Sequence, residues 1–345
     1  MKKVKLIAVL ILLLPLQGCD EPETIVTNIV HPDGSVTRRI EMRTSKREFD
    51  PEEYRVPVDS TWKLTYSTEV SDEGDTTRVL VAEKLFPDAE SISAEYAGGI
   101  GINAASVRSA YFSKSFRWFT TSYRFTEQVR RIMPHGYPIR NFLSNEEVEF
   151  LMLPNSVATD LKEGADSTFY TALSDSVDSH VELWLVRGLV NSWSQLAGKM
   201  LKDSGADEKF VEEFYGYEEK FTAYLEPFGS DIDSVLIAIL GEETVNRYGS
   251  IFSAAEDSID KSMELFWQFC GYTVKTIMPG TLKDCNGYIS ASGEVAWQVR
   301  PELFFFEDYT LWAESHRENR WAWYVSGGFV LIVVAGIVLR KLRGR

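Results

Sequence analysis

Two hydrophobic periods divide the chain. From Thr24 to about Arg140, apolar and β-branched residues alternate with polar ones, the pattern of half-buried strands. From Ser144 the apolar positions recur every three or four residues, as along one helix face, and after Cys270 short strand-like runs return. Thr24–Val30 and Val36–Met42 flank His31-Pro32-Asp33-Gly34-Ser35, where proline and glycine supply turn geometry, so a hairpin is predicted. Further strands are predicted over Thr61–Val70, Thr76–Phe86 and, on either side of Thr120-Thr121, Tyr111–Val129. Ser144 and Glu147 have the spacing of a capping box and mark a helix start. Leu173, Val177, Val181, Trp184, Leu185 and Leu189 predict one helix or a broken pair over Ser167–Lys202, with Gly188 and Gly205 as candidate interruptions. Helices are also predicted over Asp207–Leu225, Ser230–Leu240 and Glu242–Phe269, and strands over Tyr272–Met278, Gly280–Asp284, Glu294–Val299 and Phe304–Ala313. Because open sheet edges invite aggregation, the two strand-rich flanks are expected to pair. The expected fold is α+β: an antiparallel sheet from the N- and C-terminal flanks, with a helical block inserted between them.

The ends have a different character. Lys2, Lys3 and Lys5 precede the apolar run Leu6–Leu16, which matches the charged and hydrophobic regions of a secretory signal and falls short of the about 20 residues a bilayer span needs. Near the other terminus, Trp321–Leu339 has nineteen residues without a charge, and Arg340, Lys341, Arg343 and Arg345 follow it. That length suits a transmembrane helix, Trp321, Trp323 and Tyr324 suit an interface, and the cations predict a cytoplasmic tail. The competing reading is a buried core helix. The expected organisation is a leader over residues 1–18, strand-rich region 19–143, helical block 144–270, strand-rich return 271–320, span 321–339 and basic tail 340–345.

Charge narrows the function classes. The whole chain carries −15, and without the leader and tail cations 29 basic residues face all 51 acidic ones, about −22. Nucleic acid is therefore not an expected partner, since that affinity comes from neutralising phosphates. Against this background Arg108, Lys114, Arg117, Arg124, Arg130, Arg131 and Arg140 cluster with a single acid, Glu127, between Ile100 and Leu143. Aromatics interleave with them, and Arg108, Lys114, Arg117, Trp118, Tyr123 and Arg124 form a candidate basic-aromatic face toward membrane lipid. The alternative is that these arginines neutralise the acidic helical block within the fold.

Catalytic signatures are sparse. His31, His135, His180 and His316 are scattered, and no H-E-x-x-H, G-x-S-x-G, P-loop or C-x-x-C occurs. No cofactor or metal site is expected. His180 reads as a surface histidine, and the adjacent acidic pairs are what 51 acids produce by chance. Of three cysteines, Cys270 and Cys285 form a candidate disulfide in an oxidising compartment, worth about 3 kcal/mol if formed. Two buried free thiols are the alternative.

Leu16-Gln17-Gly18-Cys19 resembles the lipobox of bacterial lipoproteins. That resemblance implies cleavage before Cys19 and lipidation of its sulfur; an ordinary signal cleaved near Gly18 would leave Cys19 free. The arrangement of Leu16–Cys19, the hairpin around Asp33-Gly34 and the span from Trp321 is similar to that of mycobacterial LppM-type lipoproteins, which implies a lipid-binding exported domain. The combined expectation is a non-enzymatic envelope lipoprotein. It would be anchored at Cys19 and by one span, and would bind a lipid or an envelope protein partner at the outer face of the cytoplasmic membrane. An envelope hydrolase whose site assembles only in three dimensions, and a structural tether or assembly factor, are the competing readings.

Overall fold

Asp33 and Gly34 make the turn their chemistry allows: Asp33 Oδ1 accepts from the Ser35 amide at 3.1 Å, and Gly34 takes a φ of +100°. It joins β1 (Glu23–Val30) to β2 (Val36–Thr44), which pair antiparallel as predicted. The computed structural model describes residues 23–46, 49, 58–70, 74–97, 108–225, 232–268 and 271–343. The predicted leader, Cys19 and Cys270 lie outside the described residues.

β3 (Lys63–Val70) and β4 (Thr76–Phe86) extend the sheet beyond β2. Every residue of β3 is exposed, so this edge strand lies outside the core. A helix that the sequence pattern did not predict, α1 (Glu90–Ala97), follows; it buries Ile92 and Tyr96 and is tied to β4 by Lys84–Glu95 at 2.6 Å. β5 (Arg108–Phe116) and β6 (Thr120–Val129) pair antiparallel in the stretch predicted as strands, with the turn at residues 117–119 rather than at Thr120-Thr121.

The helical block begins where Ser144 caps α2 (Asn145–Leu151) with both hydrogen bonds of a capping box. α3 (Asn155–Glu163) leads into α4 (Ser167–Asp203), one unbroken helix of 37 residues that runs through Gly188. α5 (Glu208–Tyr215), α6 (Glu218–Leu225), α7 (Ile232–Leu240) and α8 (Glu242–Gln268) complete the block. Around α4, Trp193 makes ring contacts with Phe214, Phe221 and Phe252, so the apolar stripe is a core seam.

The returning chain supplies β7 (Tyr272–Ile277), β8 (Thr281–Cys285), β9 (Tyr288–Ile289), β10 (Val295–Val299) and β11 (Tyr309–Glu318). Phe304 belongs to a 3₁₀ turn over Pro301–Phe304, so the last strand starts and ends five residues later than its pattern suggested. The flanks do pair, but into two sheets. One has the order β3-β4-β2-β1-β7-β10-β9, the other β5-β6-β11-β8. The junction of the first is parallel, with Val26 opposite Val274; that of the second is antiparallel, with Phe125 opposite Ala313. Pro279-Gly280 explains the division: the turn passes the chain from β7 in one sheet to β8 in the other. A Cβ on Gly280 would lie 2.4 Å from the His316 carbonyl oxygen, so only glycine lets the turn approach β11 this closely.

Buried charge joins the inward rows of the two sheets. Glu127 of β6 takes two bonds from Arg38 of β2, at 3.1 and 3.2 Å, and one from Asn28 of β1 at 3.3 Å, with Arg108 of β5 at 3.6 Å. Arg108 also donates to the Tyr96 hydroxyl at 3.0 Å and lies between the Tyr96 and Tyr272 rings, 4.4 and 4.6 Å from their centroids.

Candidate functional site

β11 passes into the last helix, α9 (Arg320–Arg343), through the single residue Asn319. α9 is long and apolar enough to cross a membrane, and only 6% of its apolar window is buried, which sets it apart from a core helix. Its first turns are held by the tip of the β5–β6 hairpin. The Asn319 amide donates to the Phe119 carbonyl at 2.8 Å, and Asn319 Nδ2 donates to the Arg117 and Trp118 carbonyls at 2.8 and 3.3 Å. Thr121 donates its hydroxyl to Asn319 Oδ1 at 2.9 Å, and the Asn319 carbonyl accepts the Ala322 amide as the helix begins.

Aromatic contacts extend this joint along the helix. Phe116 stacks on Trp321, with centroids 6.4 Å apart and planes 4° from parallel; Trp118 meets Trp321 edge-on at 5.1 Å, and Phe119 meets Trp323 at 4.5 Å. Trp118 Nε1 donates to the Ser326 hydroxyl at 2.9 Å. Ser326 stands six residues beyond Arg320, about 9 Å along the axis at 1.5 Å per residue. The hairpin tip therefore lies beside the apolar helix rather than above it.

Between the hairpin, β8, β11 and the start of α9 is a groove of about 870 Å³. Lys114, Arg317 and Arg320 line it, with Glu318 as the one acid, and Phe116 and Trp321 supply its exposed aromatic walls. Arg117, Arg317 and Arg320 are exposed and have no ion pair among the described residues.

The six residues expected on one basic-aromatic face divide. Arg117 and Trp118 are exposed at the hairpin tip, and Lys114 is exposed beside it, its ammonium 3.0 Å from the Pro32 carbonyl. Arg124 is exposed one strand away, bonded to Glu314 at 2.6 Å and stacked over Trp312. Arg108 and Tyr123 are corrections: Arg108 is buried on Glu127, and Tyr123 is buried under Phe112 and Lys114. Strand alternation turns both inward, because Arg108 and Ala110 on β5, and Thr121, Tyr123, Phe125 and Glu127 on β6, share the core-facing row. The described carboxylate partners of Arg108 and Arg124 are the strand residues Glu127 and Glu314, so neither arginine neutralises the helical block. Asn319, Phe119 and Ser326 escaped sequence reasoning; a lone asparagine between a strand and a span was the signal available for the first.

Two further expectations concern chemistry. Cys285 is half-buried, has no disulfide partner among the described residues, and donates to the Gly287 carbonyl at 3.4 Å; burial raises its pKa above the ordinary thiol value, and its candidate partner Cys270 lies outside the described residues. His180 is partly exposed but partnered: its Nδ1 lies 2.7 Å from Glu147 Oε1, and the Ser176 hydroxyl donates to the same oxygen at 2.6 Å. Burial works to raise the Glu147 pKa, but bonds from Ser176, Ser144 and His180 outweigh it and hold the carboxyl at about 2. With the serine proton on the carboxylate, this set lacks the hydroxyl–imidazole contact of a nucleophilic site; it fastens the start of α2 to α4. Among the described residues no group of three or more His, Cys, Asp or Glu side chains converges as metal ligands.

Comparison of the chain with known protein families, curated proteins and solved structures finds no match.

Proposed function

We propose that this chain is a membrane-anchored envelope lipoprotein, attached through Cys19 and spanning once at residues 321–339. In this reading its α+β domain lies outside the cytoplasm, close against the membrane, and binds a lipid or protein partner there without catalysing a reaction. One observation carries it: the β5–β6 tip is docked alongside the opening turns of α9, down to Ser326. A helix crossing a hydrocarbon core about 30 Å thick would place those rings at the polar–apolar boundary, where tryptophan is favoured. Arg117, Arg317 and Arg320 would then stand at headgroup level.

A reporter fused after Arg345 is expected to be active only in the cytoplasm, and alkaline carbonate should leave the protein in the membrane. Release by carbonate, or a reporter active only on the far side, would overturn the orientation. Labelling with a fatty-acid probe is expected to mark the native chain and not Cys19→Ala; equal labelling would remove the lipid anchor from the proposal.

The docked hairpin has its own test. Asn319→Ala removes three side-chain hydrogen bonds between the hairpin and the helix start. Amide exchange at Arg117 and Thr120, whose N–H groups close the hairpin tip, is expected to rise at least about fivefold, since a net hydrogen bond contributes about 1 kcal/mol. Unchanged exchange would mean that the aromatic contacts, the residue-319 backbone amide and the Trp118–Ser326 bond hold the tip without the Asn319 side chain.

A further inference from the structure

We propose that the groove at the head of α9 binds the phosphate of an anionic glycerophospholipid in the outer leaflet, an inference that rests on the membrane placement proposed above. Its charge is opposite to that of its surroundings. The mature domain carries about −22, yet here Lys114, Arg317 and Arg320 face one space with Glu318 as the single opposing charge. Neither Arg317 nor Arg320 is engaged by an ion pair among the described residues, so both guanidinium groups are available to phosphate oxygens. The Lys114 ammonium uses one proton on the Pro32 carbonyl and keeps two. Thr281 adds a hydroxyl from β8.

The walls decide which anion is meant. The stacked Phe116 and Trp321 rings line the same groove as the cations, and Trp321 is the first residue of the uncharged stretch of α9. A free phosphate would use only the cations. A phospholipid would use both parts, its headgroup among Lys114, Arg317 and Arg320 and its acyl chains running down past Phe116 along α9. An acidic peptide would have no use for a wall continuous with the apolar helix.

The full-length chain would be reconstituted into nanodiscs of equimolar phosphatidylcholine and phosphatidylglycerol, returned to mild detergent, and its bound lipids counted by native mass spectrometry. Phosphatidylglycerol is expected to be retained in clear excess over phosphatidylcholine. Arg317→Gln with Arg320→Gln is expected to reduce that excess roughly tenfold, from the attraction each surface cation contributes toward anionic lipid. Lys209→Gln, an exposed cation in the helical block, should leave it unchanged. Equal retention of the two lipids, an equal loss in Lys209→Gln, or displacement of the lipid by an equivalent amount of inorganic phosphate would overturn the proposal. Carbonate extraction of the same material separates the two levels: a chain that washes off defeats the membrane placement, whereas one that stays without lipid preference defeats the groove alone.

Discussion

Replacing Glu127 with alanine is expected to lower the stability of the folded domain by about 3–5 kcal/mol, the range for removing one partner from a buried ion pair. Arg38 and Arg108 are 0% and 1% exposed, and Glu127 is the one carboxylate between them. Without it, two buried guanidinium groups from different sheets share one site with no counter-charge among the described residues. The cluster is already short of partners, because Arg38 Nε and Arg108 Nε and Nη2 have none among the described residues. Arg38→Met leaves one guanidinium facing one carboxylate, so it is expected to cost less than Glu127→Ala despite removing a larger side chain. Urea unfolding of the full chain in detergent, followed by far-ultraviolet circular dichroism, measures both. The reverse order would show that packing, rather than charge balance, holds the sheets.

The same carboxylate sets a pH dependence. Burial acts to raise the Glu127 pKa, but Arg38 and then Arg108 outweigh it, so the folded value lies below the ordinary 4.5. A depressed carboxylate contributes stability that is complete above about 4.5 and lost as pH falls through the folded value. Glu127→Gln is accordingly expected to flatten the acid arm of the stability profile.

Local chemistry was legible in the sequence, and distant pairing was not. The Asp33-Gly34 hairpin and the Ser144 capping box follow from residues a few positions apart, and both stand where the pattern put them. Joining the two flanks was legible as well, from the need to close sheet edges. Nothing local said that Pro279-Gly280 would move the chain between sheets, because that depends on how near β11 passes. The functional region shows the same boundary. A cluster of cations and aromatics between Ile100 and Leu143 was visible, but Arg108 and Lys114 share one face of β5, and what buries the first and exposes the second is how far along the strand the core reaches, set by a contact 89 residues away in sequence, where Arg38 meets Glu127. Arg317 and Arg320 sit outside that window and enter the groove only because β11 lies beside β6.

Gly188, a candidate interruption in the sequence, lies inside the continuous α4, and its role there predicts an effect of the opposite sign to helix propensity. On propensity alone Gly188→Ala should stabilise, by up to about 1 kcal/mol. A Cβ at this position, however, would lie 2.2 Å from the Phe306 ring, which also meets Trp184 edge-on at 5.0 Å and would clash at 2.2 Å with a Cβ on Gly136. Phe306 thus enters a slot cut by two glycines and fastens the helical block to the segment leading into β11. Gly188→Ala is expected to destabilise by about 1–3 kcal/mol through overpacking. Phe306→Ala is expected to cost about 3–5 kcal/mol by emptying the slot. The two should not add: once the ring is gone the new methyl has room, so the double variant is expected to be no less stable than Phe306→Ala alone. Strict additivity in the same urea titration, or a stabilising Gly188→Ala, would mean that the ring and the helix do not share this space.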